Sequence, residues 1–149
     1  MRPTYVTQTD HRNEDLVIGK VVQAWGVTAI NRAAEDKFYS YDAEFYTNGK
    51  LTSMAEIKRR NMYWKQHPDV TLAVQKAARV VAAAKQAGVR PLFMVLVNGG
   101  GVYWADITRY EELPITEKGG RTLNTRDPKD IEPCVGVPND WFHPLEEIA

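Results

Sequence analysis

The 149-residue chain has one cysteine, Cys134, and three scattered histidines, His11, His67 and His143. A single thiol cannot close an internal disulfide. The spacing also supplies no Cys/His set for tetrahedral zinc, so neither a disulfide nor a zinc site is expected to hold the fold. No apolar run reaches the roughly 18 residues needed to span a bilayer, and the opening Met-Arg-Pro-Thr-Tyr-Val-Thr-Gln lacks the apolar stretch of a secretion signal. The sequence therefore predicts a protein of the cytoplasm with no membrane partner. Net charge is missing too, with 19 basic residues against 19 acidic ones. What is present is 44% hydrophobic content over a length that suits one compact domain with a core and is too short for two ordinary ones.

The zero balance conceals a separation of sign along the chain. From Glu56 to Arg90 there are eight basic residues and two acidic ones, whereas from Asp106 to the end there are ten acidic and five basic. Positive potential is thus expected beside the first stretch, where Lys58, Arg59, Arg60, Lys65 and Lys76 lie, and that potential suits a phosphate backbone. The plainer reading is a set of solvated lysines and arginines.

Periodicity sets out the elements. Residues 1–10 read as irregular or as a short edge strand. A helix capped by Asp10 or Asn13 runs to Trp25 with Val17, Val21, Val22 and Trp25 on one side, Glu14 in its first turn and Gly26 as its stop. Val27 to Ile30 has strand composition and Asn31 to Lys37 reads as a charged loop. Phe38 to Tyr46 and Leu51 to Arg59 form a hairpin around Asn48-Gly49. Val70 to Ala87 reads as a helix stopped by Gly88, with Leu72, Val74, Ala77, Val80, Val81 and Ala84 inward. Leu92 to Val97 is a continuous apolar run of strand length, expected at the centre of a sheet covered on both faces. Gly99-Gly100-Gly101 turns the chain into a strand from Val102 to Ile107, and without a following Lys-Ser or Lys-Thr it reads as a hairpin turn rather than a phosphate cradle. Past Ile107 no periodicity is visible. The division that follows is a core over residues 1–108 and an acidic C-terminal extension over 109–149, packed on the same domain.

The segment richest in chemistry joins Asp42 to Glu56 and Lys58. Carboxylates on the two arms of a hairpin, with the Ile57 carbonyl between Glu56 and Lys58, are hard oxygen donors suited to Mg2+, with Mn2+ as a substitute. A lysine one pleat beyond Glu56 can orient or help deprotonate water and stabilise a pentavalent phosphorus. Register decides whether the set can form. A two-residue Asn48-Gly49 loop in a regular hairpin puts Asp42 opposite Ala55 and turns Glu56 to the other face, so a shared cation requires a three-residue loop or a bulge. Seen alone, Glu56 and Lys58 would be an exposed strand pair of little energetic value.

Asp42, the run Glu56-Ile57-Lys58, the order of elements around them and the tail from Gly120-Arg121 into Asp130-Ile131-Glu132-Pro133 resemble the PD-(D/E)xK nuclease superfamily, which includes restriction enzymes, Holliday-junction resolvases and small phage and bacterial nucleases. Asp42 follows Tyr41 where the motif has proline. The resemblance implies an α/β fold with a restriction-endonuclease-like core, a mixed β-sheet flanked by helices in αβββαβ order. It implies a magnesium-dependent hydrolase of phosphodiester bonds in nucleic acid, most readily a DNA endonuclease. Glu14 matches a first-helix glutamate that completes the metal site in resolvase-like members, and Lys76 a lysine on the helix after the motif. Arg59, Arg60, Asn61, Tyr63 and Lys76 are the expected nucleic-acid contacts, with Tyr63 and Trp64 able to stack on bases; Tyr103 and Trp104 are expected in the core. A homodimer would supply two sites for two strands. Two other readings remain: a nuclease-fold module that binds nucleic acid or a protein without cutting, and an acid–base hydrolase using Glu44 and Glu56, for which no supporting residues stand out.

Overall fold

The computed structural model describes residues 8–32, 41–119 and 131–147. The expected arrangement of residues 1–7, the loop from Ala33 to Lys37, the start of the hairpin at Phe38 and the tail segment from Gly120 to Asp130 lie outside the described residues.

A helix α1 (Gln8–Trp25) is followed by β1 (Ala29–Arg32), β2 (Ala43–Thr47), β3 (Lys50–Arg59) and β4 (Asp69–Ala73). Helix α2 (Val74–Ala87), β5 (Arg90–Leu96), β6 (Val102–Asp106), β7 (Ile115–Gly119), β8 (Ile131–Pro138) and β9 (Phe142–Pro144) complete the order. Six strands form one sheet in the order β1-β2-β3-β5-β6-β9, and β4-β8-β7 form a smaller one. Strands β3 and β5 are parallel, and the neighbouring pairs on either side are antiparallel, so the large sheet is mixed. A parallel pair needs a crossover, and the chain from β4 through α2 supplies it. Strand β5 is buried from Pro91 onward, as its unbroken apolar run requires.

Alternation along the strands gives the large sheet two apolar faces. One carries Ala43, Phe45, Ala55, Ile57, Leu92, Met94 and Leu96 and packs on Val17 and Val21 of α1. The other carries Met54, Phe93, Val95 and Ala105 and packs on Ala77, Val80 and Ala84 of α2 together with Val70, Leu72, Val135 and Val137 of the small sheet. Gly88 ends α2 in the left-handed conformation at φ 73°, and its N–H reaches back to the last turn, the role a Cβ-free residue fills at no steric cost.

Four expectations are corrected. Helix α1 begins at Gln8, so Asp10 and Asn13 lie inside it and cannot cap it, and Glu14 stands in its second turn, where the helix dipole acts more weakly. Val22 is exposed while Val17 and Val21 are fully buried, because the apolar stripe on α1 is narrower than the valine spacing suggests. Residues 69–73 are strand: Val70 and Leu72 point into the core with Thr71 between them, a period of two, and only from Val74 does the period become helical. The chain beyond Ile107 is also more ordered than its composition indicates, since β7 and β8 build the small sheet with β4 and β9 pairs with β6.

Candidate active site

The hairpin that carries the acidic residues turns through two residues. Asn48 and Gly49 have φ of 53° and 78°, and Thr47 pairs with Lys50, the geometry that an Asn-Gly pair favours. Tyr46 then pairs with Leu51, but Phe45 pairs with Ser53, which leaves Thr52 as an extra residue, its hydroxyl donating to the Phe45 carbonyl at 3.0 Å. That bulge shifts the register by one. Ala43 pairs with Ala55, and the Asp42 N–H donates to the Ala55 carbonyl at 2.9 Å, so the next step along brings Asp42 opposite Glu56. Residues opposite one another share a face, and the irregularity demanded by the shared-face argument is therefore present, at Thr52.

Paired positions of β2 end at Ala43, whereas β3 continues to Arg59. Asp42 bridges the gap by accepting the Ile57 N–H on Oδ2 at 2.7 Å. The N–H and C=O of one strand residue point to the same edge. The Ile57 carbonyl is thus directed to the side of Asp42, beyond the last β2 pair.

Glu56 lies on the face covered by α2, its side chain only 2% exposed. Among the described residues its Oε1 has no hydrogen-bond partner. Lys58 on the same face of β3 stands 3.8 Å from that oxygen and Lys76 of α2 stands 4.0 Å from it, both too far for hydrogen bonds. Burial pushes the Glu56 carboxyl up to about 7, the Asp42 charge pushes in the same direction, Lys76 and Lys58 pull it back, and Glu14 adds a smaller upward push. Charges from α1, the turn into β2, β3 and α2 thus act on one carboxylate, with Glu14 contributing least.

A buried carboxylate oxygen without a hydrogen-bond partner, facing a second acid, is an arrangement that a cation would satisfy. Among the described residues no three His, Cys, Asp or Glu side chains close on a common point. Asp42, Glu56 and the Ile57 carbonyl would offer an ion two carboxylates and one carbonyl, a set that fits an ion binding through one or two carboxylates and retaining several waters, as magnesium does.

The remaining expected residues divide into two groups. Arg60 is largely enclosed. Its guanidinium donates to the Thr71 carbonyl of β4 at 2.6 Å, tying the motif strand to the small sheet, and its surroundings hold its pKa below the usual value mainly by burial while Glu56 opposes that shift. Trp64 likewise packs inward, stacked on Tyr103 at 3.9 Å between ring centres and edge-on to Phe142. Trp104 is buried as expected. Arg59, Asn61 and Tyr63 face solvent. Arg59 Nη2 donates to Asn98 Oδ1 at 2.7 Å, and Asn98 Nδ2 donates to Asn61 Oδ1 at 3.1 Å. Asn98 escaped the sequence reading; its one signal is its position between the β5 run and the glycine turn. Glu44 pairs with Met54 and lies 3.4 Å from the Tyr46 hydroxyl, which donates to it.

Residues 1–145 match the model of a family described as "Phage putative PDDEXK endonuclease". No curated protein matches the chain significantly. Among solved structures it is similar to Hjc, a Holliday junction resolvase from the archaeal hyperthermophile Archaeoglobus fulgidus, with a TM-score of 0.51 and 17% identity over 72% of this chain and 80% of that one. At that identity the likeness concerns the fold.

Proposed function

The chain belongs to the phage PDDEXK endonuclease family, and from that premise we propose that it hydrolyses phosphodiester bonds of DNA with a divalent cation held by Asp42, Glu56 and the Ile57 carbonyl. The observation that carries this reading is the Glu56 Oε1 atom, buried, without a hydrogen-bond partner among the described residues, and faced by two lysines at 3.8 and 4.0 Å. Magnesium suits the oxygen donors, and manganese can replace it. When bound, the ion supplies Lewis acidity to the scissile phosphate and a lower pKa to its water.

The protein groups divide the remaining work. Asp42 fixes the strand end through the Ile57 N–H and adds negative charge beside Glu56. Lys58 presents its ammonium on the Glu56 face, where it orients the attacking water and offsets charge that grows on phosphorus in the transition state. Glu14 contributes further negative charge from α1 and Lys76 further positive charge from α2, close to where a scissile phosphate would lie. Arg59 and Asn61 meet the nucleic-acid backbone from the end of β3. Cleavage of both strands of a duplex calls for two such sites, hence a homodimer, working in the cytoplasm.

A panel of labelled duplex, single-stranded and branched DNA, incubated with Mg2+, Mn2+ or EDTA, tests the reading. Cleavage of at least one substrate is expected with either ion and none with EDTA. Binding without cleavage under every condition would support a non-cutting module instead.

A further inference from the structure

Immediately beyond the motif strand the chain forms a loop that is fixed at several points but leaves one large aromatic ring in solvent. Met62 is its anchor. The Met62 side chain is buried, its N–H bonds to the Arg60 carbonyl at 2.9 Å, and its carbonyl accepts the Asn98 N–H at 2.8 Å. Further along, Gln66 closes a turn on Tyr63 through two bonds, its N–H to the Tyr63 carbonyl at 3.0 Å and its Oε1 from the Tyr63 N–H at 2.9 Å. Trp64 is locked against Tyr103, and the Asn139 side chain holds the His67 carbonyl at 2.7 Å. With its neighbours Met62 and Trp64 packed inward, Tyr63 remains 67% exposed.

A fixed backbone that presents an exposed phenol ring offers a stacking platform whose ordering cost is already met. The surroundings indicate which partner. Two residues before Tyr63, Asn61 is bridged by the Asn98 carboxamide to Arg59, so the Arg59 guanidinium is held by a neutral amide and keeps its charge for an anion. Five residues of chain from Lys58 to Tyr63 span at most about 17 Å, a distance of a few nucleotides. Resting on the nuclease reading above, we infer that Tyr63 stacks on an unpaired nucleobase close to the scissile phosphate while Arg59, steadied by Asn98, takes a neighbouring phosphate. The substrate class is then DNA with a single-stranded segment at the cut, because a base inside a continuous duplex already has both faces stacked.

The test is binding, which does not depend on cleavage. In EDTA, wild-type protein, Tyr63→Ala and Tyr63→Phe are titrated against a duplex with a single-stranded overhang carrying 2-aminopurine at its first unpaired position, and against the same duplex fully paired. Wild type and Tyr63→Phe should bind the overhang substrate more tightly and quench the fluorophore. Tyr63→Ala should lose on the order of 5- to 150-fold in that affinity, lose the quench, and bind the paired duplex as wild type does. Equal affinities of wild type and Tyr63→Ala for the overhang, or a wild-type preference for the paired duplex, would overturn the inference even if metal-dependent cleavage is observed. Absence of any DNA binding would overturn the inference, and the nuclease reading would fall only if cleavage were also absent across the Mg2+ and Mn2+ panel.

Discussion

The carboxylate of Asp42 accepts the main-chain N–H of Ile57 at 2.7 Å across the open end of the hairpin. That one bond fixes an acid from the turn into β2 against the residue that separates Glu56 from Lys58, and so joins Asp42 to a run fourteen to sixteen positions further along the chain. The Asp42 charge also helps raise the Glu56 carboxyl, so strand-end geometry and site electrostatics depend on the same side chain.

Lys58 and Glu56 should fail in different ways. Lys58→Ala removes positive charge from the face where the reaction is proposed to occur but leaves Asp42, Glu56 and the Ile57 carbonyl in place. The cleavage rate should fall on the order of 10²- to 10³-fold with ion affinity retained. Parallel measurement of rate and Mn2+ affinity checks this, and equal loss of both would show that Lys58 shapes the ion site rather than the transition state.

Stability without metal should depend on Glu56. Its carboxyl is raised in the folded protein from 4.5 to about 7, so between those values the folded chain retains a proton that the unfolded chain releases. The stabilisation is present in full below about pH 4.5 and is lost as pH rises through 7, a change on the order of 3 kcal/mol at most. Thermal unfolding in EDTA from pH 5 to 8 should therefore show a falling Tm for wild type and a flatter profile for Glu56→Gln, with the variant the more stable at pH 8. Superimposable profiles would place the titration elsewhere.

The hairpin responds differently at its turn and at its bulge. Gly49 has φ 78°, and Gly49→Ala should cost about 1–2 kcal/mol because a Cβ is disfavoured there. Deleting Thr52 removes the extra residue, and the regular hairpin that results still pairs Asp42 with Glu56. Denaturant melts should rank the deletion as milder than Gly49→Ala, and ion binding should survive it. Loss of ion binding on deletion would mean that the twist introduced by the bulge, and not register alone, builds the site.

Much of this was legible in the sequence because it depends on local rules. Asn48-Gly49 marked the turn, Gly88 the helix stop and Pro91 to Val97 the central strand, and the face argument required an irregularity before its location was known. The small sheet was hidden because its strands carry weak signals. Strand β4 runs into α2 through Ala73, which gives no side-chain cap, and β8 contains Pro133, Gly136 and Pro138, residues that ordinarily count against a strand. The packing of Arg60 was hidden for the same reason, since its partner is the Thr71 carbonyl on β4.

The two adjacent arginines are consequently expected to separate in experiment. Arg59→Ala should weaken DNA binding and reduce the slope of log affinity against log salt by about 1. Arg60→Ala should leave that slope nearly unchanged and destabilise the fold by about 1–3 kcal/mol, because it strands the Thr71 carbonyl. Salt titrations with a chemical denaturation curve for each variant decide the matter, and a reduced slope for Arg60→Ala would return that residue to the DNA surface.

The central claim, that Asp42 and Glu56 hold a divalent cation, is tested most directly by calorimetric titration of Mn2+ into wild-type protein and Glu56→Gln, each with a DNA duplex whose backbone resists hydrolysis. Wild type should bind the ion and, near pH 6.5, release protons as the raised Glu56 carboxyl ionises. Glu56→Gln should bind far more weakly and without that release. Equal binding by the two proteins, or no binding by wild type, would contradict the account.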